Sequence, residues 1–208
     1  LDGVMSQRRV AVIRVGDIAP SVVEAVSDRL RQAGAEVTAT VQVTEAWTDP
    51  SRRSYRQSLA GTLVDYLDPV PEPSAGTPVE LAEALAQSLS KHEPTDPDAL
   101  SADAQVVFGL LTEAGLVAVD GEVTVPADGF VVLAEPVVTE TPQDDATAEP
   151  VDPDVADRRE AIVATVVQVA TAAQLRSRGA VVASGEVVEG GLFERLRDPS
   201  RMTRVATV

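Results

Sequence analysis

The 208-residue sequence contains no cysteine, a single histidine and two methionines. The first absence removes disulfides, thiolate nucleophiles and Cys-ligated zinc or iron–sulfur sites together, and leaves the redox compartment open. Aromatics make up only 3% of the chain, as Trp47, Tyr55, Tyr66, Phe108, Phe130 and Phe193. The core is therefore expected to consist of Val, Leu and Ala, and platforms for stacking bases are scarce. Basic residues are also few, 17 against 33 Asp and Glu, for a net charge of −16. Phosphate binding needs Lys and Arg gathered on one face, so nucleic acid is excluded as the expected partner and the acidity reads as a solubility device. No run approaches 18 uninterrupted apolar residues, which argues against a membrane-spanning helix.

What is present suits a globular core. The apolar share is 44%, and the length fits one domain, residues 1–208, better than two. Val10 to Val15 is a short β-branched run between Arg8-Arg9 and Gly16-Asp17, as a buried strand requires. A helix follows, with Pro20 in its first turn, Val22, Val26, Leu30 and Ala33 in line, and Gly34 at its C-terminal cap. In Glu36 to Val43, the residues Val37, Ala39, Val41 and Val43 alternate with polar neighbours and predict a second strand. A crossover of this length makes the two strands parallel and right-handed. The expected fold is α/β, a Rossmann-like three-layer domain with a mostly parallel sheet of about five strands flanked by helices.

Further along, a helix starting near Asp49-Pro50 presents Tyr55, Leu59, Leu63 and Leu67, and the three prolines between residues 68 and 76 end it. Thr77-Pro78-Val79-Glu80 reads as a capping box that opens a helix carrying Leu81, Leu85 and Leu89. Another helix begins at Ser101, with Val106, Val107, Leu110, Leu111 and Ala114 on its face and Gly115 closing it. Val117 to Val125, broken by Asp120-Gly121, reads as a small hairpin or an irregular turn, and Phe130 to Ala134 as a third buried strand. Residues 136–154 carry four prolines, six carboxylates and no base, the composition of an acidic, Pro-rich surface loop and a possible docking segment. A long helix from about Asp154 to Arg178 buries Ile162, Val166, Val169, Ala170 and Ala173, with Gly179 ending it. Ala180 to Ser184 is a fourth strand. Gly190-Gly191 leads into a short helix with Leu192, Phe193 and Leu196, and Arg204 to Val208 begins a fifth strand. There is no internal repeat.

Reactive constellations are thin. Nucleophilic catalysis by serine or cysteine needs a histidine beside the nucleophile, and His92 lies in a polar stretch, Ser90 to Asp98, between helices. Ala183-Ser184-Gly185 lacks the glycine two residues before the serine that a nucleophile elbow uses. The turn after the first strand, Gly16-Asp17-Ile18-Ala19-Pro20, offers one glycine and an acid where a dinucleotide fold needs a glycine-rich phosphate cradle. Gly190-Gly191 reads as a simple turn. No catalytic, cofactor-binding or metal-binding residue is assigned, no cofactor is expected, and the domain is read as non-enzymatic. An enzyme would need a pocket with converging polar groups at the C-terminal edge of the sheet, near Gly16, Ala134 or Gly185.

Leu1-Asp2-Gly3 through Arg9-Val10-Ala11-Val12-Ile13, followed by Gln32-Ala33-Gly34-Ala35-Glu36-Val37-Thr38-Ala39-Thr40-Val41, resembles the copper transport outer-membrane protein family of actinobacteria. Looser matches are Leu111-Thr112-Glu113-Ala114-Gly115, the strand near Phe130, Gly179 to Gly185, and Arg204-Val205-Ala206-Thr207-Val208. The resemblance runs through nearly the whole chain and rests on pattern and order rather than on one chemical motif. It implies an extracytoplasmic, envelope-located domain of a longer protein, reached through an N-terminal hydrophobic anchor and a coiled coil that would favour a homodimer. A start at Leu1 and a stop at Val208 are read as the bounds of an excerpt.

The same resemblance implies a role in copper homeostasis or efflux, with copper association coming from the family alone. Cu(I) takes thiolate or thioether donors and Cu(II) imidazole; Met5, Met202 and His92, far apart in sequence, do not predict a tight site. The carboxylates between 140 and 154 are read as solvated. A pore would need a closed barrel or a lipid-facing helix bundle, and the alternation of short strands and helices predicts neither. The expected function is a non-catalytic envelope domain of this family. Its alternative is a dimeric scaffold that regulates cell-wall hydrolysis or division through an envelope protein partner.

Overall fold

Val10, Ala11, Val12 and Ile13 leave no polar side to their strand, so it must lie inside the sheet with apolar cover on both faces. The computed structural model, which describes residues 3–136, 153–185 and 206–207, places it there. In chain order the elements are β1 (Arg9–Val15), α1 (Pro20–Gln32), β2 (Glu36–Val43), α2 (Arg53–Leu63), α3 (Thr77–Ser90), β3 (His92–Glu93), β4 (Asp96–Leu100), α4 (Ala102–Glu113), β5 (Val117–Val119), β6 (Gly129–Ala134), α5 (Pro153–Arg176), β7 (Ala180–Ser184) and β8 (Ala206–Thr207). The main sheet has the order β5-β2-β1-β6-β7-β8, and only β5 runs antiparallel to its neighbour. The five expected strands are all present; β5, the irregular reading of Val117 to Val125, adds a sixth. β3 and β4 pair in a separate two-stranded ribbon.

Side-chain alternation divides the molecule. Ala11, Ile13, Val15, Phe130, Val132, Ala134, Ala180 and Val182 face the larger core, which they share with α2, α3, α4 and α5. Val12 and Leu133 face the other way, against Val23, Val26 and Leu30 of α1. The layers are thus α1, the sheet, and the remaining helices.

Strict alternation put Val37, Ala39, Val41 and Val43 on one face of β2, and this needs correction. The β1–β2 register runs Val10 to Val37 and then Ala11 to Ala39, so Thr38 is an extra residue in a bulge. A one-residue insertion reverses the side-chain direction. Val37 consequently packs toward α1, whereas Ala39, Val41 and Val43 join the larger core.

Four helical expectations also shift. On α1, Val23 and Ser27 are buried and Val22 is 48% exposed, so the aligned apolar stripe turns partly away from the sheet. Chain near Asp49-Pro50 forms a 3₁₀ turn, Pro50–Arg52, before α2 starts, and Tyr55 is exposed while Ala60, Leu63 and Leu67 are buried. The capping box of α3 does not form: the N-cap is Gly76, at φ +80°, and no side chain caps the helix. Ser101 does cap α4, accepting from Ala104 N at 3.2 Å, but Val106 is exposed. The stripe expected for α5 is buried at all five positions.

α3 is enclosed by α2, α4 and α5, and its buried set includes Ala82, Ala84, Ala86, Gln87 and Ser88 as well as the three leucines. Small residues on the flanks let the neighbouring helices approach. The buried amide of Gln87 is satisfied: its Nε2 donates to Tyr66 O (2.7 Å) and its Oε1 accepts from Asp68 N (2.9 Å). Arg176, at the end of α5, completes this knot. Its Nη1 donates to Gln87 Oε1 (2.6 Å) and Asp68 O (3.1 Å), its Nη2 to Pro69 O (2.6 Å) and Glu83 Oε2, and its Nε to Glu83 Oε2 (3.1 Å). All five donors of the guanidinium are used.

The Arg176 side chain is only 5% exposed, so removing it strands a carboxylate and an amide indoors. Arg176→Ala is expected to lower the unfolding free energy by about 3–5 kcal/mol, and Arg176→Lys to restore only part of it, because an ammonium cannot match the fork geometry. Urea titration read by the fluorescence of Trp47, which is buried in the same core, measures both. An unchanged midpoint for Arg176→Ala contradicts the assignment.

Candidate functional site

Open parallel sheets place ligands beyond the C-terminal ends of their strands, at the point where strand order reverses. Here β1 leads left to β2 through α1, and β6 leads right to β7 through α5, so the reversal lies between β1 and β6. A cavity of about 440 Å³ opens at this edge, between the ends of β1 and β2 and the first half of α5. Among the three positions where the sequence allowed a pocket, it adjoins Gly16; Ala134 and Gly185 do not line it.

The turn after β1 forms one wall. Gly16 has φ +87°, and a Cβ there would lie 2.5 Å from Glu135 Oε2. Glu135 fills the place: its carboxylate accepts from Asp17 N at 2.9 Å, and its own N donates to Val15 O at 3.0 Å. A carboxylate of the chain therefore holds the backbone amide that a bound phosphate would use in a dinucleotide site. With Asp17 beside it, the turn is built against anions, in line with the single glycine in the sequence.

The opposite wall comes from the end of β2. Gln42 Nε2 donates to Gly16 O (3.1 Å) and Val43 O (2.7 Å), fastening the two strand ends together. Thr44 reaches Gly115 O at 2.6 Å, and Glu45 meets Arg158 of α5 at 3.6 Å across the mouth. Thr165 is buried and donates to Ala161 O at 2.8 Å. Behind this wall Arg56 Nη1 donates to Ala46 O (3.0 Å) and Asp49 O (2.6 Å), with burial pulling its guanidinium below the usual value. The Asp49 carboxyl is held below its ordinary value by its hydrogen bond with Ser51. Arg14 also lines the cavity; its Nε is buried and finds no acceptor among the described residues, while Nη2 lies 3.6 Å from Asp120.

Chemically the cavity carries two guanidinium groups, the carboxylates of Asp17 and Glu45, and threonine hydroxyls. No histidine or cysteine stands beside those hydroxyls to activate them. His92 lies in β3, is exposed, and has Nδ1 3.0 Å from Glu93 O. Its ribbon is tied to Arg9, which donates to Pro97 O (3.1 Å) and Asp98 Oδ1 (2.8 Å). Arg9 begins β1 and Val15 ends it, so His92 is at the opposite end of the sheet, about 20 Å from the cavity by strand rise. Ser184 ends β7 and does not line it. Met5 donates its N–H to Ala33 O (2.8 Å), beside the C-terminal end of α1. Met202, Gly190-Gly191, the short helix expected at Leu192 to Leu196 and most of the acidic segment 136–154 lie outside the described residues. Among the described residues no three His, Asp or Glu side chains gather to hold a metal ion.

At that first end of the sheet the sequence reading missed a cluster. Asp128 accepts from Arg9 N at 3.0 Å and stands 3.7 and 3.8 Å from the Nε of Arg9 and of Arg178. Only the -Arg8-Arg9- and -Arg176-Ser177-Arg178- pairs in an acidic chain signal it.

Residues 1–208 match the family described as copper transport outer membrane protein, MctB. The chain belongs to this family. No curated protein matches it. The MctB family's description carries copper transport and an outer-membrane, envelope association; no helix among the described residues is long and apolar enough to cross a membrane. The described sheet is open, with β5 at one edge and β8 at the other.

The packing of Glu135 against Gly16 is checked by a double-mutant cycle. Gly16→Ala is expected to cost about 1–3 kcal/mol from its positive φ and the collision. Gly16→Ala with Glu135→Ala is expected to cost less than the two single losses combined, because the second truncation removes the obstacle. Thermal unfolding of the four proteins gives the coupling, and strict additivity contradicts the contact.

Proposed function

We propose that this chain is a non-catalytic domain of an MctB-family envelope protein, acting in copper handling as a homodimer through protein contacts rather than by ligating copper itself. The carrying observation is the donor set. Copper in either oxidation state selects sulfur or imidazole, and the chain has one exposed histidine, no cysteine and two methionines. Met5 lies beside the C-terminal end of α1, its N–H donating to Ala33 O, and His92 is exposed in β3 with Nδ1 3.0 Å from Glu93 O. Carboxylates alone, however numerous, favour hard cations. The residues present do not fit a tight copper site, so copper enters this account as the cargo of a system to which the domain belongs.

The cavity at Gly16 is consistent with this reading. Its turn is closed by Glu135, and its hydroxyls already donate to backbone carbonyls. Membership of a larger envelope assembly, with an anchor and an envelope protein partner, is the extension of this reading that the family implies.

Titration of the purified chain with Cu(I) and Cu(II), each in competition with a chelator of known affinity, is expected to give no stoichiometric site tighter than about micromolar. In a host lacking the gene, the protein carrying Met5→Leu, His92→Ala and Met202→Leu together is expected to restore copper tolerance as well as the parent does. A one-to-one submicromolar site that these three substitutions abolish, with tolerance lost alongside it, would show that the domain ligates its cargo.

A further inference from the structure

Arg9, Arg56 and Arg176 are drawn into the fold, and each donates hydrogen bonds to carbonyl or carboxylate oxygens of the chain. Arg14 is drawn in as far as Arg9, its side chain 18% exposed against 19%. Yet it donates to nothing. Its Nε is buried without an acceptor among the described residues, and its ion-pair partner, Asp120, is 77% exposed and stands 3.6 Å from Nη2, too far for a hydrogen bond. A buried donor left without an acceptor costs free energy, and more when the group is charged. Arg14 lies in the wall of the cavity at the strand-order reversal, and Asp120 does not.

The same cavity holds a second unmatched charge. Asp17, three residues on, also lines it, and among the described residues no cation or donor reaches its carboxylate; only its backbone N–H is engaged, by Glu135. Arg14 and Asp17 do not pair with each other. The turn between them is held by Gly16, at φ +87°, and by Gln42 Nε2 donating to Gly16 O at 3.1 Å. The other two charges in the wall, Glu45 and Arg158, face one another at 3.6 Å. Ile18, Pro20, Val43 and Ile162 supply apolar lining beside them.

We infer that this cavity binds a small zwitterion with an apolar body, an aliphatic amino acid or its dipeptide, with the ligand carboxylate on Arg14 and its ammonium on Asp17. Thr44 and Thr165 spend their hydroxyl protons on backbone carbonyls, which leaves their oxygens as acceptors. Other classes fit worse. A compact polyanion meets the carboxylates of Asp17 and Glu45, and the amide it would use is already taken by Glu135. A neutral sugar brings Arg14 no counter-charge. The volume of about 440 Å³ falls in the range of small-ligand sites, and open parallel sheets bind ligands at this edge. This goes beyond the reading of the domain as a contact module and requires neither catalysis nor copper.

The test is nuclear magnetic resonance of the labelled chain with leucine, leucyl-leucine, N-acetyl-leucine and leucinamide as probes. At least one of the two zwitterions is expected to shift the Arg14 Nε–H signal and the amides of Gly16 and Asp17 saturably. N-acetyl-leucine and leucinamide, each lacking one charge, are expected to bind about tenfold more weakly or worse. Arg14→Gln and Asp17→Asn are each expected to weaken the zwitterion by a similar factor, about tenfold, and Asp98→Asn, at the other end of the sheet, to leave it unchanged. Asp17 is exposed, so Asp17→Asn keeps the fold even if Arg14→Gln loosens it; thermal unfolding monitors both. No saturable shift from either zwitterion at about 10 mM overturns the site. Equal binding of N-acetyl-leucine, or a zwitterion indifferent to Asp17→Asn, overturns it too, and neither result bears on the copper titration.

Discussion

β1 has parallel partners on both sides, and Ala11, Val12 and Ile13 are wholly out of reach of water. Such a strand needs an apolar layer against each face of the sheet. The chain meets the requirement unequally. Four helices and most of the buried leucine and alanine crowd one face, held at the far side by the five hydrogen bonds of Arg176. Among the described residues the other face receives α1 alone. From this asymmetry come the large single core, the bulge at Thr38 that lets β2 contribute to both faces, and an apolar groove left beside α1.

How much of this was legible in the sequence depends on how local each signal is. β1, β6 and β7 are short β-branched runs between turn residues, a pattern that requires no knowledge of neighbours. α5 was readable because its stripe from Ile162 to Ala173 repeats over several turns. The bulge was hidden because Val37, Ala39, Val41 and Val43 keep perfect alternation; only pairing with β1 shows that one residue is skipped. α1 failed for a related reason. Val22 and Val23 are equally apolar, and which of two adjacent stripes meets the sheet is decided by the docking angle. The β3–β4 ribbon escaped notice because His92, Glu93, Asp96 and Asp98 have none of the alternation that marks a half-buried strand.

The cavity divides in the same way. That the turn after β1 would not cradle a phosphate followed from its single glycine and its acid. That a distant residue, Glu135, supplies the blocking carboxylate follows only from the β1–β6 register, which brings the ends of those two strands together. Placement of His92 some 20 Å away, by strand rise, likewise depends on which end of the sheet the ribbon caps.

Membership of the MctB family gives the chain a connection with copper, and its residue types give it little with which to hold copper. The two statements are compatible if the domain contributes surfaces rather than ligands.

Native-state hydrogen exchange on the dilute chain tests the unequal cover most directly. Slowest exchange is predicted for the amides of β1, β6 and α3, with α1 exchanging markedly faster than α3 although both are regular helices of similar length. Equal protection of α1 and α3 in the monomer would mean that both faces of the sheet are covered alike, and would contradict the account.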